Sequence, residues 1–177
     1  MKFLSLFLRS ISDLFKLKKL YKKDNVFIFY AETELDWTFL NPVYYFFKNN
    51  FDNRLIKVCS DQNDKNLNDS ESFYIGYGIS RTIFFSNLKA KIIIMTLTDL
   101  DNFHLKKSIY KVHYIYVFHS IASVCRVYNE KAFNAYDTFL CSGKHQLEEL
   151  QKIKNLYNLK NKYFIKYGYP KLDTILK

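Results

Sequence analysis

One histidine follows a buried strand at a position where parallel-sheet proteins carry out chemistry. His119 comes directly after five apolar residues, 114–118, which predict a strand, and Ser120 and Ser123 follow it. Small hydroxylated residues are typical of the turn from a strand into a helix. Ligands of open parallel sheets bind beyond the carboxyl ends of the strands, so an imidazole here is placed to move a proton. The alternative is a histidine that caps the strand and bonds a neighbouring loop.

Two other predicted strand ends also carry polar residues. Asp99 and Asp101 follow an Ile-rich strand, where the pair could bind a metal or cap a turn; without further ligands we interpret it as a turn. Lys144 lies in 142–145, between a strand and a helix, where helix amides and a lysine could bind an anion. The alternative there is an ordinary strand–helix turn with acidic residues near the positive helix end.

Short apolar runs alternate with helical patterns and predict an α/β fold that positions these residues. Strands are predicted at 26–30, 55–59, 73–75, 91–96, 114–118, 138–142 and 163–167, and helices at 41–50, 79–88, 130–136 and 144–156. Such alternation forms βαβ units and a mostly parallel sheet. We therefore predict one Rossmann-like domain over residues 25–177, with the strands around Ile93 and Ile115 adjacent and parallel.

Composition and motifs exclude several classes of protein. At 177 residues, 49% apolar and 19% aromatic, the chain is too apolar to be disordered. The three cysteines show neither CxxC spacing nor even pairing, so no disulfide framework or zinc site is predicted, and a cytoplasmic protein fits best. Gly76 and Gly78 lack the third glycine of a dinucleotide fingerprint, and no Walker motif, HExxH or GxSxG occurs.

Charge points to anionic partners other than nucleic acid. The net charge of +10 could steer the protein toward phosphates or lipid headgroups. Nucleic-acid binding is disfavoured because the basic residues concentrate near the N-terminus and no RRM, OB or helix-turn-helix signature is present.

Residues 1–24 predict a basic amphipathic helix. Apolar residues recur at helical spacing and lysines crowd the end of the segment: Leu4, Phe7, Leu8, Ile11, Leu14 and Phe15, then Lys16, Lys18, Lys19, Lys22 and Lys23. The uninterrupted apolar stretch, 3–8, is too short to span a bilayer, and Arg9 interrupts what would be a signal peptide's apolar core. Such a helix can lie in an anionic membrane interface, or it can pack on its own domain or on a partner domain.

Residues 96–173 resemble the amino-terminal half of the CDP-glycerol glycerophosphotransferases, which include the teichoic-acid primases and polymerases. The order and spacing of five pieces carry the resemblance: 98–102, 116–120, 132–137, 141–145 with 148–149, and 168–173. Residues 25–95 match only in their α/β pattern. The resemblance implies one half of a GT-B architecture, in which the first Rossmann-like domain handles the acceptor and the second binds CDP-glycerol.

The resemblance also implies a reaction and its residues. Members of the family transfer glycerol phosphate to a lipid-linked polymer at the cytoplasmic face of the membrane, and their proposed general base falls on His119. Ser120 stands where the teichoic-acid enzymes typically have glycine, which leaves the acceptor open. Ser120, Ser123, Asp99 and Lys144 are the predicted acceptor-binding residues. No metal or cofactor is predicted beyond CDP-glycerol as the donor substrate.

The resemblance thus predicts the acceptor-side half of a membrane-associated glycerophosphotransferase, peripheral to the membrane. Its expected partners are an anionic membrane surface, a lipid-linked polymer acceptor and a separate donor-binding polypeptide. Residue 177 falls about where the donor-binding domain should begin, so three alternatives stay open: a truncated reading frame, a split enzyme whose other half is this separate polypeptide, or a domain put to another use. We expect no turnover without the donor-binding domain. The alternative is a non-catalytic membrane-associated or partner-binding remnant of the same fold.

Overall fold

Seven strands form one sheet in the computed structural model, which describes residues 2–21, 25–129 and 131–176. The strands are β1 (Val26–Ala31), β2 (Arg54–Cys59), β3 (Ser72–Tyr74), β4 (Ile92–Met95), β5 (His113–Val117), β6 (Thr138–Cys141) and β7 (Tyr163–Lys166). Their order is β3-β2-β1-β4-β5-β6-β7, and every neighbouring pair is parallel. The predicted α/β Rossmann-like class is confirmed. So is the adjacency of β4 and β5, in which Ile93 lies opposite Tyr114.

Helices cover both faces of the sheet. They are α1 (Lys2–Leu20), α2 (Trp37–Asn50), α3 (Ile79–Ser86), α4 (Val124–Val127), α5 (Lys144–Leu156) and α6 (Pro170–Ile175). Short 3-10 turns occupy Glu34–Asp36 and Lys65–Asn68.

Two apolar layers, one on each face of the sheet, bury strands β1 to β6, whereas the edge strand β7 is largely exposed. Along β1, Ile28 and Tyr30 join the layer that holds α1, α3 and α5, whereas Phe27 and Phe29 join the layer against α2. All six residues of β1 are buried. A strand covered on both faces needs such a continuous apolar run, which is why the short runs predicted strands well.

Helix α1 packs on the domain. Leu14 and Leu17 belong to the buried core, and the Ser10 hydroxyl bonds Ser80 of α3 at 2.7 Å. The carboxylate of Asp13 accepts a hydrogen bond from the backbone N–H of Tyr74 in β3 at 3.1 Å. Of the placements that the sequence left open, packing on its own domain is therefore the one observed.

A second apolar stripe of α1 faces away from the domain. Its exposed side chains are Leu4, Phe7, Leu8 and Phe15. Lys16, Lys18 and Lys19 are exposed nearby, and Lys22 and Lys23 of the predicted basic cluster lie outside the described residues. No helix within the described ranges is both long and apolar enough to cross a bilayer.

One predicted helix is absent, and another begins earlier than predicted. The predicted helix at 130–136 is absent: residues 131–135 form successive turns, and residue 130 lies outside the described ranges. Phe133 and Tyr136, three residues apart, are both buried through these turns, so their spacing imitated a helix. The helix predicted at 41–50 is present as part of α2, which begins at Trp37 and contains Pro42.

Candidate functional site at the sheet reversal

Polar side chains gather where the strand order reverses, between the carboxyl ends of β1 and β4. Crevices at such reversals bind the ligands of open α/β sheets. The chain leaves β1 at Glu32, leaves β4 at Thr96 and reaches His119 just beyond β5. We call Glu32, Asp36, Arg81, Thr96 and His119 the switch-point cluster.

His119 occupies the predicted place and is half-buried. Its Nδ1 lies 3.4 Å from the hydroxyl of Tyr116, and its ring stands edge-on to Phe39 with centroids 6.1 Å apart. Burial lowers the pKa of His119 from 6.5, and the nearby carboxylate of Asp36 opposes that shift. The imidazole is therefore neutral near pH 7 and able to accept a proton.

Asp36 ties the ends of β1 and β4 together. Its Oδ1 accepts a hydrogen bond from the Thr96 hydroxyl at 2.9 Å. Its Oδ2 accepts bonds from the backbone N–H groups of Thr33 at 2.8 Å and Glu32 at 3.0 Å. The Thr33 hydroxyl also donates to Oδ2, at 3.2 Å, so four donors hold this carboxylate in place, and its negative charge acts on His119.

Glu32, directly after β1, forms an ion pair with Arg81 of α3. Arg81 Nη1 donates to Glu32 Oε1 at 2.5 Å, and the guanidinium lies over the ring of Tyr77, 5.2 Å from its centroid. Tyr77 in turn donates its hydroxyl hydrogen to the Glu32 carbonyl at 2.6 Å. Burial raises the pKa of Glu32, and Arg81 opposes that rise.

Side chains of α5 hold the loop after His119 in place. Gln146, which is fully buried, donates from Nε2 to the carbonyls of Ser120 at 2.7 Å and Ala122 at 3.1 Å, and its Oε1 accepts from the N–H of Ser142 at 2.9 Å. The Ser120 hydroxyl accepts a bond from the N–H of Ala122 at 3.1 Å. Ser123 precedes α4, and its side chain does not cap that helix. Other side chains hold the same loop: His145 Nε2 bonds the Ile121 carbonyl at 2.8 Å, and Glu149 accepts from the Val124 N–H. The loop that carries both predicted acceptor-binding serines is therefore held by several contacts from α5, of which the buried Gln146 amide makes three.

The other two predicted acceptor-binding residues bond elsewhere. Asp99 has a left-handed backbone (φ 58°), and its Oδ1 accepts bonds from the amides of Asn102 at 3.3 Å and Asn129 at 3.2 Å. This is the turn that the sequence analysis preferred over a metal site. Lys144 is exposed on the first turn of α5 and pairs with Glu148 at 3.4 Å. Within the described ranges, no group of three or more His, Cys, Asp and Glu side chains is arranged to hold a metal.

Sequence reasoning missed Asp36, Glu32, Arg81 and Gln146. A signal for the two acids was present, since 32–36 follows the first predicted strand as directly as His119 follows its own. Arg81 and Gln146 lie within helices, where nothing in the local pattern marks a residue that points to a strand end. Comparison with protein-family models, curated proteins and solved structures found no match to this chain.

Proposed function

We propose that this chain is the acceptor-side domain of a membrane-associated glycerophosphotransferase, with His119 as its general base. The observation that carries the proposal is a half-buried imidazole with a lowered pKa, set one strand from the sheet reversal and under the influence of the Asp36 carboxylate. The resemblance of residues 96–173 to the CDP-glycerol glycerophosphotransferases supplies the reaction class.

The proposed step is a proton transfer coupled to phosphoryl transfer. His119 takes the proton of an acceptor hydroxyl as that oxygen bonds to the glycerol-bearing phosphorus of CDP-glycerol, and the bond from phosphorus to the CMP oxygen breaks. Asp36 then stabilises the imidazolium that forms, because its carboxylate raises the affinity of His119 for a proton. Ser120 and Ser123 lie on the braced loop beside the base and are proposed to contact the acceptor.

The exposed stripe of α1 supports a peripheral membrane location for this domain. Leu4, Phe7, Leu8 and Phe15 lie outward with lysines nearby, an arrangement that suits an anionic headgroup surface. The second candidate function, a non-catalytic membrane-associated or partner-binding module, draws on the same stripe, because membrane docking needs no chemistry at His119.

Acceptor binding is the first test of the proposed function. We expect a short acceptor ending in glycerol phosphate to shift the backbone amide resonances of residues 119–123 in the ¹⁵N NMR spectrum, and CDP-glycerol alone to leave them unchanged. A spectrum that responds to neither compound would contradict acceptor binding.

A transfer assay separates the two candidates. CDP-glycerol and acceptor are supplied to this chain mixed with a donor-binding domain of the family. His119→Ala should slow transfer by about 10²–10⁴-fold, the usual contribution of a general base. The matched control is His113→Ala, since His113 begins β5 at the opposite end of the sheet and bonds the Thr138 hydroxyl at 2.8 Å. Acceptor binding without any transfer, or transfer unchanged by His119→Ala, would favour the non-catalytic module.

Vesicle sedimentation tests the location. The chain should pellet with vesicles containing phosphatidylglycerol and not with neutral phosphatidylcholine vesicles. Leu8→Gln should weaken that binding without unfolding the domain, because Leu8 is 58% exposed. Equal binding to both kinds of vesicle, or none, would contradict an anionic membrane partner.

A further inference from the structure

An apolar cavity opens on the α5 face of the sheet, apart from the switch-point cluster. Its volume is about 290 Å³, at the lower limit of about 300 Å³ for small-molecule sites. It lies between α4, the turns at 131–135, α5 and the β6–β7 end of the sheet. The apolar lining is formed by Val124, Tyr128, Phe133, Phe139, Leu150, Ile153, Leu156, Tyr157, Leu159 and Phe164.

Two lysines line the same cavity. The ammonium of Lys154 donates to the carbonyl of Lys162 at 3.2 Å and lies over the ring of Phe164, 5.7 Å from its centroid. Lys162 donates to the carbonyls of Asn134 and Tyr136. An ammonium carries three N–H donors, so these bonds leave each lysine with donor capacity for a further acceptor.

The charged side chains that line the cavity are basic. The lining residues that the structure describes include Lys154 and Lys162 and no carboxylate. Burial lowers the pKa of Lys162, with Asp137 opposing that shift, so the ammonium stands in a partly desolvated place where an anion would stabilise it. A ligand matched to this cavity is apolar along most of its length and anionic at one end.

We propose that this cavity binds an amphiphile with a single short acyl chain and an anionic head held by Lys154 and Lys162. A volume of about 290 Å³ is at the small end of ligand sites, so it suits one short chain. The inference does not rest on the transfer chemistry, and its test uses no donor or acceptor. The head is a carboxylate or a phosphate, according to whether the source is a free fatty acid or a phosphorylated lipid.

Cys125 provides a direct readout. It lines the cavity and is exposed, whereas Cys59 and Cys141 are buried. A small alkylating reagent should therefore modify Cys125 first. Decanoate, kept below its micellar range, should slow that modification saturably, and calorimetry on the same protein gives the affinity. Decyl phosphate in a parallel titration distinguishes the two sources by which head binds more tightly.

Three comparisons decide the proposal. Decanol should bind at least about tenfold more weakly than whichever of decanoate and decyl phosphate binds more tightly, because decanol has no charge to pair with the lysines. Lys154→Met should remove most of that difference, whereas Lys152→Met, on the exposed side of the same helix, should leave it unchanged. Ile153→Phe should fill the cavity and block binding, and Leu159→Phe serves if the first variant fails to fold. Equal binding of decanol and decanoate, or no binding of any of the three compounds, would overturn the proposal.

Discussion

Replacing Gln146 by leucine should destabilise the fold by about 2–4 kcal/mol. The side chain is fully buried and makes three hydrogen bonds of 2.7–3.1 Å to the backbone of Ser120, Ala122 and Ser142. Each such bond contributes about 0.5–1.5 kcal/mol net, and the part-buried backbone groups left behind lose their amide partner. Leucine has a similar size but no polar atom, so its greater apolarity offsets only part of that loss.

Urea denaturation measures the effect. With a slope of about 2 kcal/mol per molar urea, a loss of about 3 kcal/mol lowers the midpoint by roughly 1–2 M. The matched control is Gln151→Leu, five residues along α5, where the exposed amide pairs with Asn155 at 3.0 Å. That change should stay within about 0.5 kcal/mol of wild type. A Gln146→Leu midpoint equal to that of the control would refute the view that this amide fixes the loop after His119.

Three further predictions concern the switch-point cluster and α1. The pKa of His119, followed by imidazole NMR, should lie below 6.5 and fall further in Asp36→Asn. Because the unfolded histidine then binds a proton at higher pH than the folded one, stability should decrease as pH drops below about 6.5. Leu17→Ala should cost about 2–5 kcal/mol in urea, since Leu17 is fully buried, whereas Leu8→Ala should cost under about 0.5 kcal/mol. Asp13→Ala should cost about 1–3 kcal/mol in thermal melting, because a backbone N–H of β3 loses its acceptor.

Most of the sheet was predictable because its central strands are buried on both faces. Runs such as Ile92–Met95 and Thr138–Cys141 are short, continuous and apolar, and little except a covered parallel strand needs that pattern. The turns after β5 were not predictable in the same way. Phe133 and Tyr136 lie in a segment whose conformation depends on the core beneath it. Their helical spacing therefore predicted a helix where the chain forms turns.

The candidate site was predictable only at strand ends. His119 could be found because it directly follows a predicted strand. The acidic residues after β1 also directly follow a predicted strand and could have been found in the same way. Arg81 and Gln146 reach the site from α3 and α5, so their roles depend on how those helices dock. Periodicity predicts which face of a helix is buried. It does not predict which side chain on that face bonds a distant loop, as Gln146 bonds the loop some 25 residues before it.

The hydrogen bond between β3 and α1 also affects the outer edge of the sheet at β3. In a parallel edge strand, alternate N–H groups point outward and can pair with a strand from another chain. On β3, those of Ser72 and Tyr74 are already engaged, the first with the carbonyl of Asp69 at 3.1 Å and the second with Asp13 at 3.1 Å. Strand addition through these N–H groups is therefore obstructed at the β3 edge of the sheet.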